Sequence, residues 1–592
     1  MIMMTFLKYN YSSFCSKTHL NRVKKNFIRM PKLISNYHDK VITNYLKRIL
    51  PSNYINDIDE DLKSFSMKME NDYFYLHKEC ETNQPKLENF DGWGNRVDNL
   101  LTSDAWKKLK SISCEEGLIN IAHERNFKEF SRIYQGVKLI LFSSLGGLYG
   151  CPLAMTDGAA FVIQALGKPK SVQHAFDKLI SRNPKHFWTS GQWMTEKNGG
   201  SDVANSTETV AIWDSEHQCY RLYGYKWFSS ATDANMALTL ARSVDSNGNL
   251  IGGGKGLSLY YVETASQNDG SENKWNHIEL VTLKDKLGTR QLPTAELVLK
   301  GSKAIKLSDE GRGISSIAGM LTITRIHNAI GAVSAMRRIS LLAVEYAKSR
   351  QCFGSSIIDK SLHAATLASL DIESRAAFYF VMDVMRLLGL HENNKATNED
   401  AVMLRILSPL LKLYTAKQAV SVVSEALECF GGQGYIESTG LPGIFRDSQV
   451  FPIWEGTTNI LSLDVLRSLK IETFNAGILH VFIDRCHEKL NKCQKNKYIK
   501  QINQFQNALN IVNNFVVNNH LNLDTLLLHS RNIAYSMSRI YMGILLLENA
   551  SFSDSDLSDH LSVIYWCKKD LVSELDQFDD GLNGNDWKKF FD

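Results

Sequence analysis

The chain has 592 residues, of which 44% are hydrophobic and 22% charged, and its net charge is +4. That length exceeds what one hydrophobic core serves, so three or four structural units are expected. Balanced charge argues against a nucleic-acid partner engaged by bulk electrostatics, and the ordinary composition excludes a disordered or fibrous chain.

The positive charge is unevenly placed. Lys8, Lys17, Arg22, Lys24, Lys25, Arg29 and Lys32 all precede the first acid, Asp39, in a segment that also carries Thr5, Ser12, Ser13, Ser16 and Thr18. Residues 1–30 therefore read as a targeting segment of mitochondrial type or as a disordered basic extension, with cytoplasmic residence as the alternative. The 10 cysteines are scattered without a CxxC pair, which suits reduced thiols in an intracellular compartment, and no metal site is expected. No stretch is apolar enough to span a bilayer.

Residues 31–188 read as a helical domain. Asp91-Gly92-Trp93-Gly94-Asn95 is a compact turn, the pattern from Trp106 to Leu166 is helical, and Cys151-Pro152-Leu153 punctuates it. Thr156 or Asp157 is placed to cap a following helix, and no strand is expected before about residue 185. The period then changes. Runs at 207–213, 220–228, 237–242, 257–262, 278–283 and 295–299 are β-branched or aromatic and separated by turn residues. Residues 189–304 are thus expected to form an antiparallel sheet or barrel. Gly252-Gly253-Gly254 lacks the flanking strand and helix of a phosphate loop and reads as a hairpin connection. From 305 to 470 the helical period returns, with Val333, Met336, Ile339, Ala343 and Tyr346 on one face of a long helix. Helices at about 364–388 and 400–430 follow, and Gly431-Gly432-Gln433-Gly434 stops the last. Residues 471–592 form a helical extension with a polar tail from Ser551; its 12 Lys+Arg against 15 Asp+Glu argue against a basic nucleic-acid surface. The fold class is α+β multidomain: helices, sheet, helices and a helical appendage.

Three stretches carry candidate chemistry. In Trp454-Glu455-Gly456-Thr457 a carboxylate stands beside a bulky indole on a tight turn, where dehydration raises its affinity for a proton and makes it a better base. A loop acid capping the next helix is the competing reading. In Met194-Thr195-Glu196-Lys197-Asn198-Gly199-Gly200-Ser201-Asp202, paired glycines allow close approach of backbone to a ligand, with Thr195 and Ser201 as hydroxyl partners; a plain polar turn is the alternative. Lys226-Trp227-Phe228-Ser229-Ser230 ends a strand on an aromatic and two hydroxyls, fit to wall a planar ring or simply to fill a core.

These motifs, together with Arg350-Gln351-Cys352-Phe353-Gly354 and Phe430-Gly431-Gly432-Gln433-Gly434-Tyr435, resemble the acyl-CoA dehydrogenase family over about residues 90–470. DGWGNRVDNL (91–100), CPLAMTDGAA (151–160) and the extension beyond 470 are similar to its AidB-like branch. The resemblance implies FAD held between the β domain and the second helical domain. Met194, Thr195, Gly200 and Ser201 would contact it from the β side. Trp227, with Phe228, would stack beside the ring, and Ser229 or Ser230 would meet its reactive edge. Glu455, Gly456, Thr457 and Asn459 would follow on the helical side, while Arg350, Phe353, Gln433 and Gly434 would reach the FAD of a neighbouring subunit in a dimer or tetramer. It implies Glu455 as the base that removes a proton α to a thioester carbonyl; MLTITRIHN (320–328), where some relatives carry the base, holds no acid. Ser201 and Arg325 are candidate substrate contacts, with a surface salt bridge as the other reading of Arg325. The implied function is FAD-dependent dehydrogenation of a fatty acyl-CoA with electrons passed to an electron-transfer flavoprotein. The alternative is an AidB-like flavoprotein that sequesters an acyl ligand or protects against alkylation stress.

Overall fold

The computed structural model describes residues 31, 33, 37, 39–244, 248–265, 275–469, 476–552 and 554–575. The basic segment over residues 1–30 lies outside them. Helices run from Lys40–Ile49 to Gln173–Leu179. Asp39 opens the first by accepting from Val41 N at 3.0 Å, which satisfies an amide that the helix leaves free.

Two sequence expectations are corrected in this region. Strands β1 (Lys86–Phe90) and β2 (Arg96–Leu101) form an antiparallel hairpin well before residue 185. Both carry charges, and of their residues only Asp98 is buried, so neither offers the apolar alternation that marks a strand in sequence. The turn sets them: Asp91 Oδ1 accepts from Trp93 N at 2.8 Å and Asn95 N at 2.9 Å. Asp98 then accepts from Leu280 N at 3.1 Å and anchors the hairpin to the sheet. Thr156 and Asp157, in turn, cap nothing. They lie inside Gly150–Ala165, with Pro152 in the first turn, where its missing N–H costs least. Asp157 is fully buried and accepts from Arg132 at 2.7 Å, His123 at 2.9 Å and His327 at 2.9 Å.

The sheet contains β3 (Ser190–Trp193), β4 (Val210–Asp214), β5 (Cys219–Ser230), β6 (Met236–Arg242), β7 (Leu257–Glu263), β8 (Ile278–Leu283) and β9 (Thr294–Lys306). The path β6–β4–β5–β9–β7 returns to β6, with β3 added on β6 and β8 on β9. The expected antiparallel arrangement holds for most pairs, but β3 and β4 run parallel to β6. β3 has no β-branched residue, and its Ser-Gly-Gln-Trp is set by its neighbour rather than by propensity. In β5 a bulge falls between Lys226 and Ser229, opposite Leu297 and Ala295. A bulge shifts the alternation by one, so Lys226 and Ser229 both face the core, while Tyr225 and Ser230 share the other face.

The second helical unit is built on Gly313–Ser349, whose Val333, Met336, Ile339, Ala343 and Tyr346 are buried as expected. It packs on Gly150–Ala165 closely enough that a Cβ at Gly158 would lie 2.7 Å from Met320 Cγ. Ser361–Glu392 and Asn398–Glu428 complete the bundle. The extension docks on it through Ser530–Ala550: Tyr541 Oη donates to Asp383 at 2.5 Å and Arg539 Nε donates to Tyr414 Oη at 3.1 Å. Its polar tail is not featureless. Leu557–Trp566 is a helix with a capping box of Asp556 and Asp559. Among the described residues no helix is long and apolar enough to cross a membrane.

Candidate functional site

Glu455 adopts φ +57° and Gly456 φ +104°, a left-handed pair directly before the helix Thr458–Ser468. Such a backbone is costly for a residue with a Cβ and marks a turn held by its surroundings. Three hydrogen bonds from two helices hold it. Trp454 Nε1 donates to Asn328 of the long helix. Thr324, one helical turn earlier, donates its hydroxyl to Glu455 Oε2 at 2.6 Å. Lys412, fully buried in Asn398–Glu428, donates Nζ to Gly456 O at 2.6 Å. Burial pushes the Glu455 carboxyl above its ordinary range, against the Thr324 hydrogen bond and the charges of Lys412 and Arg325. The residue as a whole is half-buried. It is therefore a carboxylate with raised proton affinity, fit to act as a base.

Cys151 lies near enough to feel the charges of both Lys286 and Glu455; burial pushes its thiol up to about 12. Lys286 is brought down to about 8 by burial. Its Nζ donates to Leu292 O at 2.8 Å and to Thr294 Oγ1 at 3.1 Å, and Thr294 Oγ1 lies 3.0 Å from Ser230 Oγ. An ammonium can only donate, so Thr294 accepts from it, and either hydroxyl can donate in the Thr294–Ser230 bond. When Thr294 is the donor, the Ser230 hydroxyl proton is left for another acceptor.

The two β-side motifs are tied to each other. Trp227 N donates to Thr195 O at 2.9 Å. Beneath them Lys226 Nζ meets Glu196 Oε1 at 2.7 Å in a buried ion pair, and Glu196 also accepts from Glu208 N and Thr209. Met194 is buried under this junction, while Gly200 and Ser201 are exposed at its rim. Trp227 carries the Lys284 ammonium 3.1 Å from its ring centroid, and Phe228 stands half exposed beside it. The β-bulge decides between the two serines, because Ser230 lies on the Tyr225 face and Ser229 is buried on the core side. An indole wall, a serine hydroxyl backed by a cation, and open glycine backbone suit a planar ring rich in hydrogen-bond acceptors.

The remaining predicted residues fall elsewhere. Thr457 and Asn459 are exposed at the start of the helix after Glu455. Arg325 pairs with Asp464 at 2.7 Å, a bond shared by Arg405 at 2.8 Å, so the salt-bridge reading holds, in a partly buried place rather than on the surface. Arg350 ends the long helix, and Phe353 sits in a tight turn with φ +53°, 96% exposed. Gln433 is exposed and Gly434 buried in the short helix Gly431–Tyr435. Tyr346 stacks on Phe430 at 5.2 Å, which brings these two segments together at one end of the bundle. Thr324, Lys412, Lys286 and the Glu196–Lys226 pair were not found by sequence reasoning. Lys412 alone leaves a trace: a single cation in the apolar run Leu407–Leu413.

The chain thus runs as a helical domain, a β domain, a second helical domain that holds the Glu455 turn, and a helical extension. Four family models match in tandem: adaptive response protein AidB N-terminal domain over residues 36–184, acyl-CoA dehydrogenase middle domain over 191–302, acyl-CoA dehydrogenase C-terminal domain over 311–470, and acyl-CoA dehydrogenase 11 C-terminal domain-like over 477–586. Acyl-CoA dehydrogenase family member 11 of Caenorhabditis elegans is 44% identical over 549 residues, 90% of this chain and 87% of that one. The crystal structure of the same worm protein, ACDH-11, in complex with C11-CoA superposes with TM-score 0.90 at 42% identity over 95% of each chain. The Bd2924 apo form superposes at 0.80 with 38% identity, over 88% of this chain and 99% of that one. The Bacillus anthracis acyl-CoA dehydrogenase complexed with FAD is 18% identical and shares the fold at TM-score 0.69, over 91% of this chain and 90% of that one. The chain belongs to the acyl-CoA dehydrogenase family of oxidoreductases. Its N-terminal domain and fourth, helical domain place it among AidB-like members that carry the C-terminal extension.

Proposed function

We propose that the protein binds FAD and dehydrogenates a fatty acyl-CoA at its α,β bond, with Glu455 as the base. The observation that carries this is a half-buried glutamate of raised proton affinity on a left-handed turn, with the Thr324 hydroxyl on one carboxyl oxygen. FAD, when bound, supplies the hydride acceptor for the β carbon. Glu455 takes the α proton, and its backbone N–H would donate to the thioester oxygen, which makes that proton acidic enough to leave. Trp227 and Ser230 seat the ring, with Thr195, Gly200 and Ser201 at its rim. Proton to Glu455 and hydride to the flavin leave a 2-enoyl thioester, and the two electrons pass on to an electron-transfer flavoprotein. Self-association as a dimer or tetramer fits Phe353 and Tyr435, 96% and 89% exposed at the same end of the bundle. The basic, acid-free composition of residues 1–30 supports residence in the mitochondrion, and an intact Met1 on the mature cellular protein contradicts it.

A second reading draws on the C11-CoA complex of the worm relative: the same site holds an acyl-CoA without turning it over. Anaerobic titration with saturated acyl-CoAs of short to very long chain separates the two. Bleaching of the flavin band by one of them supports dehydrogenation. Tight binding with no bleaching at any length supports sequestration.

A further inference from the structure

Lys412 has no role in the reaction as described so far, yet its placement is unusual. It interrupts an apolar helical run where a leucine would pack, and burying an ammonium is expensive unless something nearby compensates. Its bond goes to Gly456 O at 2.6 Å, not to the Glu455 carboxylate. A direct ion pair would have occupied the lone pairs that a base needs. The bond instead fixes the turn in which Glu455 and Gly456 have φ +57° and +104°.

We propose that Lys412 is the positioning residue of the base, holding the strained Glu455–Gly456 turn through the Gly456 carbonyl and favouring the ionised carboxylate through its charge. This rests on the reading of Glu455 as the base.

The charges around Glu455 leave this task to Lys412. From the helix Gly313–Ser349 come Thr324 and Arg325, and from Asn398–Glu428 come Lys412 and Arg405. Arg325 and Arg405 are both engaged by Asp464 of Thr458–Ser468. From Gly150–Ala165 comes Cys151, and from the loop before β9 comes Lys286, which feels Cys151 and Asp447 of the helix Leu441–Ser448. Lys412 feels only Glu455 and Arg325, and burial brings its ammonium down to about 7. The carboxyl, raised by burial, and the ammonium, lowered by it, each favour the charged form of the other.

The test follows the carboxyl itself. In FAD-loaded protein without substrate, the infrared band of the protonated Glu455 carboxyl is identified as the one lost in Glu455→Gln and is titrated with pH. Lys412→Met is expected to raise the titration midpoint by about one pH unit, the scale of losing a nearby opposite charge, and to slow flavin reduction by acyl-CoA roughly tenfold or more at neutral pH. Lys412→Gln keeps a donor for Gly456 O without the charge, so it should share the shifted midpoint while recovering most of the rate. Lys412→Arg keeps the charge and should leave the midpoint in place. If Lys412→Met does not fold, the Gln and Arg variants decide the matter. A folded, FAD-bound Met or Gln variant with the wild-type midpoint overturns the proposal. If Glu455→Gln still bleaches with acyl-CoA, the base reading fails by itself, and the infrared midpoint continues to report on Lys412.

Discussion

Lys226→Met probes the junction that carries both β-side motifs. Lys226 and Glu196 have side chains 0% and 4% exposed and meet at 2.7 Å. Removing one partner of a buried pair costs about 3–5 kcal/mol, since the other charge is left uncompensated. Glu196 retains Glu208 N at 2.6 Å, Thr209 N at 3.2 Å and Thr209 Oγ1 at 2.5 Å, so the low end, about 3 kcal/mol, is expected. For a unit the size of the β domain that corresponds to a fall in melting temperature on the order of 10 °C. Burial pushes Glu196 up, but Lys226 and the hydrogen bonds overcome it and hold the carboxyl below its ordinary range. The pair's contribution is thus present above an unfolded carboxyl pKa of about 4.3 and is lost as pH falls through the lower folded value. Melting is followed at about pH 7 by circular dichroism, and FAD retention by the flavin absorbance of gel-filtered protein. Both should fall in Lys226→Met. Glu196→Gln on the same background should restore much of the stability, because neither charge then remains. A Lys226→Met protein that melts like wild type, with no benefit from the second change, refutes the argument.

Glu455→Gln is expected to stabilise the fold. The folded protein holds the Glu455 proton more tightly than the unfolded chain, so ionised Glu455 costs stability above its folded pKa; the gain in melting temperature should be largest at alkaline pH and vanish below about pH 4. Thr324→Val removes the 2.6 Å hydrogen bond to the carboxylate without changing shape. A hydrogen bond to a charged group is worth about 1.5–3 kcal/mol, so the acid limb of flavin reduction should move up by roughly 1–2 pH units; an unmoved limb contradicts the assigned bond.

The order of domains and the site motifs were legible in the sequence because glycines, turns and aromatics announce themselves locally. The Trp-Glu-Gly setting by itself suits a capping acid as well as a base, and Glu455 is singled out as the base only through the resemblance to the acyl-CoA dehydrogenase family. Four things were not legible, each for a physical reason. The β1–β2 hairpin is held by the Asp91 turn and by Asp98 against Leu280, while its own residues are too polar to signal strands. Asp157 looked like a cap because short acids usually are, yet it sits mid-helix as the anion for Arg132, His123 and His327, contacts 25 to 170 residues away. The choice between Ser229 and Ser230 depends on one extra residue in β5, and a bulge is a property of strand pairing rather than of the strand. Thr324 reaches Glu455 and Lys412 reaches Gly456 from helices 131 and 44 residues away in sequence, so no local pattern joins them.

The central claim is that Glu455 is the base. Anaerobic mixing of the FAD-loaded protein with the acyl-CoA that bleaches it best, wild type against Glu455→Gln, measures this most directly. The account predicts rapid loss of the flavin band in wild type and none in Glu455→Gln, with FAD and the acyl-CoA still bound. Bleaching at the wild-type rate in Glu455→Gln would contradict it and place the base elsewhere.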